Sequence, residues 1–461
     1  AINNGVGATN VGTTYATLNG NLVATSAAPT TVIVYYGLVD RGTTNTAWQY
    51  TNNLGSLSIG SFSNAVSGLS AGTLYYYRCY ATNSAGYAWA NTTTNFTTVS
   101  AGSIVYVDKD AVGANNGTSW ANAYITLTNA LTNCPTGYQI WIADGVYTPG
   151  AAAASTFGLS NNIVYGGFNG TEGLLSQRDI QANRAVLDGS LVANRVMTKA
   201  KTGDCILDGL TICNGANVAA GDGGGIYVTA GNLTLRNCTV TSNYCGRDGA
   251  GMYLNAALGA HIISNCVFSH NNTTNTNGDG GAFYVANATS LAIYASSFLT
   301  NAAREYGGAF RFSVAGATLT ISNSSFRANT NGGGGGYDGG AAYIDVGHTE
   351  IFDSTFSGNY GSDDGGAICL RTNMTIRNCI FETNSAVGDG GAIYFDGAIG
   401  VSWLTLENST FYSNSAVNGG GIYMYDGLVY MTNCILWTNT ATTAGRAIYI
   451  GAGETLNVDY C

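Results

Sequence analysis

One phrase repeats through residues 201–461 and dictates what this chain can fold into. It reads Gly-Gly-(Gly/Ala)-apolar-Tyr, and some 14 to 18 residues later come an aromatic or aliphatic residue, two free positions and an Asn. The apolar residue falls at Ile226, Met252, Phe283, Phe310, Ala342, Ile368, Ile393, Ile422 and Ile448, a mean step of about 28 residues, within the period range of repeat folds. The second half pairs Val240 with Asn243, Phe268 with Asn271, Phe298 with Asn301, Phe326 with Asn329, Phe356 with Asn359, Phe381 with Asn384, Phe411 with Asn414 and Leu436 with Asn439. A unit this short cannot bury a core alone, so neighbouring units must stack into a solenoid.

Within one unit the local pattern is that of strands. In Gly391-Ala-Ile-Tyr-Phe395, Ile393 and Phe395 share one parity and Tyr394 has the other, so a strand points the first two inward and Tyr394 outward. Leu404–Phe411 supplies a second and a third strand, and Asn414 closes a turn. Three short strands per coil predict an all-β fold, a right-handed parallel β-helix of roughly a dozen coils spaced about 4.8 Å apart. Each column of the repeat then becomes a ladder. Asn243, Asn271, Asn301, Asn329, Asn359, Asn384, Asn414 and Asn439 form an Asn ladder, expected at αL turn positions. Asn237, Asn265, Asn323, Asn378, Asn408 and Asn433 form a second Asn column.

Composition narrows the function. The 461 residues carry only 9% charged residues and a net charge of −10, which argues against a nucleic-acid partner. No apolar stretch reaches the ~18 residues of a membrane span. Gly, Asn, Thr and Ser fill the surface, which suits an extracellular or cell-surface protein. The 11 cysteines lack metal-binding CxxC spacing. Cys238, Cys266, Cys379, Cys434 and Cys461 share one column with Ser296, Ser324, Ser354 and Ser409. That mixture reads as a small side chain in a tight corner, with Cys238 and Cys266 the exception that a disulfide would join.

Residues 1–98 lack the repeat and read as the short alternating strands of a β-sandwich. Leu69-Ser-Ala-Gly-Thr-Leu-Tyr75, with Tyr77-Arg78 and Ala81-Thr-Asn-Ser-Ala-Gly86, resembles the E–F corner and F strand of a fibronectin type III domain. The likeness implies that the Tyr75 hydroxyl bonds back to the loop near Leu69. A linker is expected at 99–104, then the β-helix over 104–461, divided into a cap and irregular coils (104–200) and regular coils (201–461). Ile125, Leu127, Ala130, Leu131 and Cys134 stand at helical spacing before Pro135, which predicts a short capping helix. The halves Gly366-Ala-Ile and Phe381-Glu-Thr-Asn384 resemble the GGA(I/V/L) and FxxN signatures of the polymorphic outer-membrane protein family. Val105-Tyr-Val-Asp-Lys and Tyr165-Gly-Gly-Phe-Asn-Gly170 resemble the opening of large bacterial secreted β-helix proteins. These resemblances imply a structural or adhesive surface protein.

Two outward columns hold candidate chemistry. Tyr227, Tyr253, Tyr284, Tyr343, Tyr394, Tyr423 and Tyr449 line up, interrupted by Arg311 and Cys369. They read either as stacked rings supporting the strands or as a contact strip for self-association or sugar rings. Asp222, Asp248, Asp279, Asp338, Asp364 and Asp389 stand four residues before the anchor, either as turn caps or as oxygen ligands for Ca²⁺. The densest spot for the ion is Asp338, Asp363, Asp364 and Asp389; no other cofactor is indicated. His261, His270 and His348 lie scattered, and no catalytic motif stands out. The expectation is therefore a non-enzymatic structural or adhesive protein. The ending Leu456-Asn-Val-Asp-Tyr-Cys461 stops partway round a coil, which predicts head-to-tail self-association into a filament or surface layer. The alternative is a secreted β-helix that binds or cleaves a polysaccharide.

Overall fold

The computed structural model describes residues 1–461 except 10, 13, 99–103, 136, 220, 333–335, 337, 398–401, 453 and the side chain of 346. It divides into two units, Ala1–Ile104 and Val105–Cys461. The expected linker lies largely outside the described residues.

The first unit is built of antiparallel strands in two sheets. Tyr15–Leu22 pairs with Gly60–Ser67, and Thr30–Gly37 lies between Tyr50–Leu57 and Leu74–Asn83. Leu18, Leu22, Val32, Val34 and Tyr77 are fully buried between them. The Tyr75 hydroxyl accepts the Ser70 backbone N–H at 3.0 Å, which ties the corner to the loop beside Leu69.

The second unit is a right-handed parallel β-solenoid of about 11 turns, close to the dozen expected. A coil holds four strands, not three. One coil runs Ile226–Val228, Asn232–Arg236, Thr239–Thr241 and Tyr244–Cys245. The fourth, two residues long in most coils, is too short to show as alternation, yet it builds a nine-stranded ladder of its own. In two coils the first two strands merge, giving the long strands Phe310–Ser322 and Ala342–Phe352. The helix Leu127–Asn133 buries Leu127, Ala130 and Leu131 in the solenoid core, as its spacing predicts.

Parallel in-register pairing puts each residue on its counterpart in the next coil. Phe268 pairs with Phe298, Phe298 with Phe326, Phe326 with Phe356, Phe356 with Phe381 and Phe381 with Phe411. Their rings stack with centroids 4.6–5.2 Å apart. Aromatic pairs of this kind add about 0.5–1.5 kcal/mol each beyond burial. The repeated Gly-Gly has two separate causes. Gly390 sits at φ +70°, and a Cβ on Gly391 would lie 2.2 Å from the Gly420 carbonyl oxygen of the next coil.

The Asn ladder is internal. Seven of its members are fully buried, and Asn439 is 7% exposed. Asn384 Nδ2 donates to Asn414 Oδ1 at 2.9 Å and to the Phe356 carbonyl at 2.9 Å, while its backbone N–H donates to Asn414 Oδ1 at 3.0 Å. Its own Oδ1 accepts the same two bonds from Asn359. The expected αL geometry belongs elsewhere. The residue before each ladder Asn takes it, for example Thr383 at φ 54°, as does the second Asn column, for example Asn378 at φ 53°. The ladder Asn has to turn its amide inward to meet the turn backbone, so its neighbour absorbs the sharp bend. The Cys/Ser column behaves as a small corner residue. Cys266 N–H donates to Ser296 Oγ at 3.1 Å and Ser296 N–H to Ser324 Oγ at 3.2 Å. All the cysteines are free thiols, Cys238 and Cys266 included.

Replacing Asn384 with Ala strands the Asn359 amide and the Phe356 carbonyl inside the solenoid. The expected cost is about 1–3 kcal/mol per group left unpaired. Thermal unfolding followed by circular dichroism would show it as a lower melting temperature, and an unchanged transition would contradict the ladder's role.

Candidate functional site

The Tyr column forms on the outward parity of the first strand of each coil, but it is less exposed than that parity implies. Tyr253 and Tyr343 are buried, and the others are half-buried. The rings lie flat on one another: Tyr227–Tyr253 at 5.3 Å, Tyr253–Tyr284 at 5.6 Å, Tyr394–Tyr423 at 5.3 Å and Tyr423–Tyr449 at 4.8 Å between centroids. Ring faces are therefore spent within each stack. The two stacks end where Arg311 and Cys369 take the column position. Arg311 lies over the rings of Tyr284, Tyr306 and Tyr343.

The Asp column runs beside these rings, at the turn leading into each first strand. Its carboxylates cap the next coil. Asp248 Oδ1 accepts the Asp279 N–H at 3.2 Å, Asp279 Oδ1 the Tyr306 N–H at 3.0 Å, and Asp364 Oδ1 the Asp389 N–H at 2.7 Å. Asp389 Oδ1 is taken by the N–H and Nδ2 of Asn418 at 3.1 and 2.9 Å.

At the Cys369 interruption three carboxylates meet. Asp338, Asp363 and Asp364 each bring an oxygen within 4.8 Å of the others. Asp389 stands outside this group because Asn418 holds it, a correction to the four-residue set expected. Gly388 leaves the space the group needs: a Cβ there would lie 2.4 Å from Asp364 Oδ1 and 2.8 Å from Asp363 Oδ1. The buried Cys369 thiol donates to Asp338 Oδ2 at 3.6 Å. Burial, then the Asp363 charge, pushes Asp338 up to about 6. Burial, with Asp363, Asp338 and Asp389 adding, pushes Asp364 up to about 7. Asp248, farther along the row, is raised to about 7 by burial and by Asp279. The trio can hold a proton near neutral pH, or accept a hard cation through oxygen ligands alone.

A set of charged residues that the repeat did not mark lies two positions farther along the same outward parity. Arg371 donates through Nε to Asp396 Oδ2 at 2.8 Å and through Nη1 to the Tyr343 hydroxyl at 3.2 Å. Arg311 bridges Asp279 and Asp345, reaching the latter at 3.2 Å. Strand parity could have placed them, since Asp345, Arg371 and Asp396 follow Tyr343, Cys369 and Tyr394 by two residues. They differ in type from coil to coil, so no column announced them.

Comparison with known proteins bears on the architecture. The family described as the right handed beta helix region matches residues 281–436. No curated protein matches the chain. Among solved structures, the family 28 exopolygalacturonase of Yersinia enterocolitica is similar over 98% of this chain and 97% of its own, with 11% identity and a TM-score of 0.45. The expectation of a non-enzyme is corrected by this neighbour, which is itself an enzyme. The likeness is one of fold, and its substrate is not carried over.

The protonated carboxylates give a pH test with a defined sign. The folded chain keeps protons on Asp248, Asp338 and Asp364 that the unfolded chain releases near pH ~4, so these groups lower stability as pH rises from about 4 to about 7. His261 works the other way: burial lowers it to about 4, so it costs stability as pH falls below its ordinary value. Asp364→Asn isolates the first effect. Its melting temperature should fall less than that of the wild type between about pH 5 and about pH 8, and Ca²⁺ should raise the wild type more than the variant at the upper end. Parallel pH curves with no response to Ca²⁺ would leave Asp364 a turn cap alone.

Proposed function

We propose that this chain is a secreted β-helix protein that binds a polysaccharide along its Tyr and Asp face and cleaves it at the Asp338–Asp363–Asp364 group. One observation carries the reading. Three carboxylates converge where the aromatic column breaks, and Asp364 among them keeps its proton to about pH 7. A carboxyl group that is still protonated near neutral pH, beside other carboxylates, is the equipment of general acid catalysis on a glycosidic bond. In this reading Asp364 protonates the leaving oxygen, and Asp338 or Asp363 stabilises the positive charge that develops on the sugar ring or attacks it.

The setting supports the same reading. A linear sugar polymer is a periodic ligand, and the Tyr and Asp columns repeat at the ~4.8 Å coil spacing along the solenoid. The N-terminal sandwich, with its fibronectin-like tyrosine corner, acts as a spacer or presenting module. Its location outside the cell is read from the charge-poor, Gly- and Asn-rich composition.

The test is the release of reducing ends from a panel of purified polysaccharides, charged and uncharged. Wild type is expected to cleave at least one of them. Asp364→Asn should lose about 10²-fold or more of that rate, the usual range for a positioned acid, while its melting temperature holds. Rates unchanged in Asp364→Asn, or no polymer cleaved or bound, would overturn the assignment.

A further inference from the structure

The first unit carries an aromatic face that the solenoid's chemistry leaves unused. Its larger sheet contains Tyr50–Leu57, Thr30–Gly37, Leu74–Asn83 and Gly86–Trp89, in that order. One side of this sheet, with Val32, Val34, Tyr77 and Cys79, is fully buried in the sandwich core. Residues of the opposite parity form rows on the other side. Ile33 pairs with Tyr80 and Tyr80 with Trp89, Thr31 pairs with Thr82 and Thr82 with Tyr87, and Tyr35 pairs with Arg78. The solvent side of an antiparallel sheet ordinarily carries polar residues, so the aromatic rings here have no core to serve.

The rings meet in one strip. Trp89 lies 5.0 Å from Tyr35 and 4.8 Å from Tyr80 between ring centroids, and Tyr87 stacks on Tyr80 at 5.8 Å. Tyr35 is covered, Tyr80 and Trp89 are half-buried, and Tyr87 is 73% exposed. The open aromatic area is therefore far below the ~800 Å² per partner of a stable protein interface. It suits a single polymer strand.

Charge narrows the class of polymer. Asp40, Arg41 and Arg78 are the only charged side chains in residues 1–98. Arg78, the only one within these four strands, donates through Nε to the Ala90 carbonyl at 2.8 Å and through Nη2 to the Asn91 carbonyl at 2.8 Å. A nucleic acid or an acidic polymer finds no cluster of cations here. The row beside Tyr87 supplies the Thr31 and Thr82 hydroxyls instead. Rigid rings next to uncharged hydrogen-bonding groups match a sugar ring, with its apolar C–H face and its rim of hydroxyls.

We infer that this face is a second polysaccharide site, in which uncharged sugar rings lie on Tyr87 and Trp89 and their hydroxyls bond to Thr31 and Thr82. The sandwich then binds polymer in its own right, beyond spacing or presenting the solenoid. This rests on the function proposed above in one respect, that both units engage the same polymer. Two binding modules on one chain hold a shared polymer more tightly than either does alone.

The experiment is affinity electrophoresis of the full chain through gels containing a soluble glucan, xylan, mannan or polygalacturonate, in the Asp364→Asn background so that no polymer is consumed. At least one uncharged polymer is expected to retard the chain, and Tyr87→Ala to weaken its apparent Kd about tenfold, the effect of losing one aromatic anchor. Tyr87→Phe keeps the ring and should keep the binding. Retardation should be the same at low and high salt, because no charge pair is involved. The melting temperature of Tyr87→Ala should hold, since the side chain is exposed. Retardation that Tyr87→Ala leaves unchanged would overturn this inference and leave the solenoid's reading standing. So would Tyr87-dependent retardation by polygalacturonate alone. Tyr87-dependent self-association in sedimentation, with no polymer retarding the chain, would overturn it in favour of a protein-docking face. No retardation by any polymer, with none cleaved by the wild type, would overturn both readings.

Discussion

Parallel in-register pairing is the constraint on which everything else in the solenoid depends. Each residue lies beside its own counterpart one coil away, at about 4.8 Å, and its backbone bonds to the residues flanking that counterpart: Ile226 pairs with Met252, and its N–H donates to the Gly251 carbonyl. A side chain is admitted to a column only if it can sit on a copy of itself. Phe and Tyr can, because rings stack. Asn can, because its amide is both donor and acceptor, so the Nδ2 of one coil meets the Oδ1 of the next. Ser and Cys can, because one small polar atom accepts the N–H of the coil below it. A carboxylate cannot, because like charges meet. The Asp column is thus the one place where repetition works against the fold. The structure relieves it by burying protonated carboxyls, by spending carboxylate oxygens on turn N–H groups and by replacing a member with Asn418.

Function on a periodic rod needs a break in the period, since a uniform column offers no distinguished position. The breaks here coincide. Arg311 and Cys369 interrupt the Tyr column in the region where Phe310–Ser322 and Ala342–Phe352 run on without their usual corner. Cys369 removes a ring, and the Asp338, Asp363 and Asp364 oxygens come together beside it. In the same region Arg311 and Arg371 draw Asp345 and Asp396 into ion pairs. The regular coils above and below serve as the rigid frame that holds these departures in place.

The repeat made most of the fold readable. Nine anchors and eight halves ending in Asn sufficed for the solenoid and its columns, because inward residues must match from coil to coil; the capping helix was legible from the spacing of Leu127, Ala130 and Leu131 instead. The fourth strand escaped notice, since a segment as short as Tyr244–Cys245 has no alternation to detect. The αL positions were misassigned because a turn needs one positive φ but does not say which residue carries it, and Thr383 rather than Asn384 does. The candidate site was legible only in part. Asp338, Asp363 and Asp364 sat in or beside a column, whereas Asp345, Arg371 and Asp396 belong to none. At the outward position that these three occupy no residue type recurs from coil to coil, so periodicity says nothing about it.

The carboxylate trio also cannot be treated as three independent residues. Asp363 raises both Asp338 and Asp364, and Asp338 and Asp389 raise Asp364 in turn. Groups coupled this closely release protons in steps that belong to the cluster. The proton on Asp364 is therefore a property of its surroundings: burial holds it first, and the charges of Asp363, Asp338 and Asp389 add to that. The ladder that makes the rod stable is then also what prepares an acid at its surface. Parallel pairing forces the carboxylates together, burial denies them water, and the least costly response is for one of them to keep its proton.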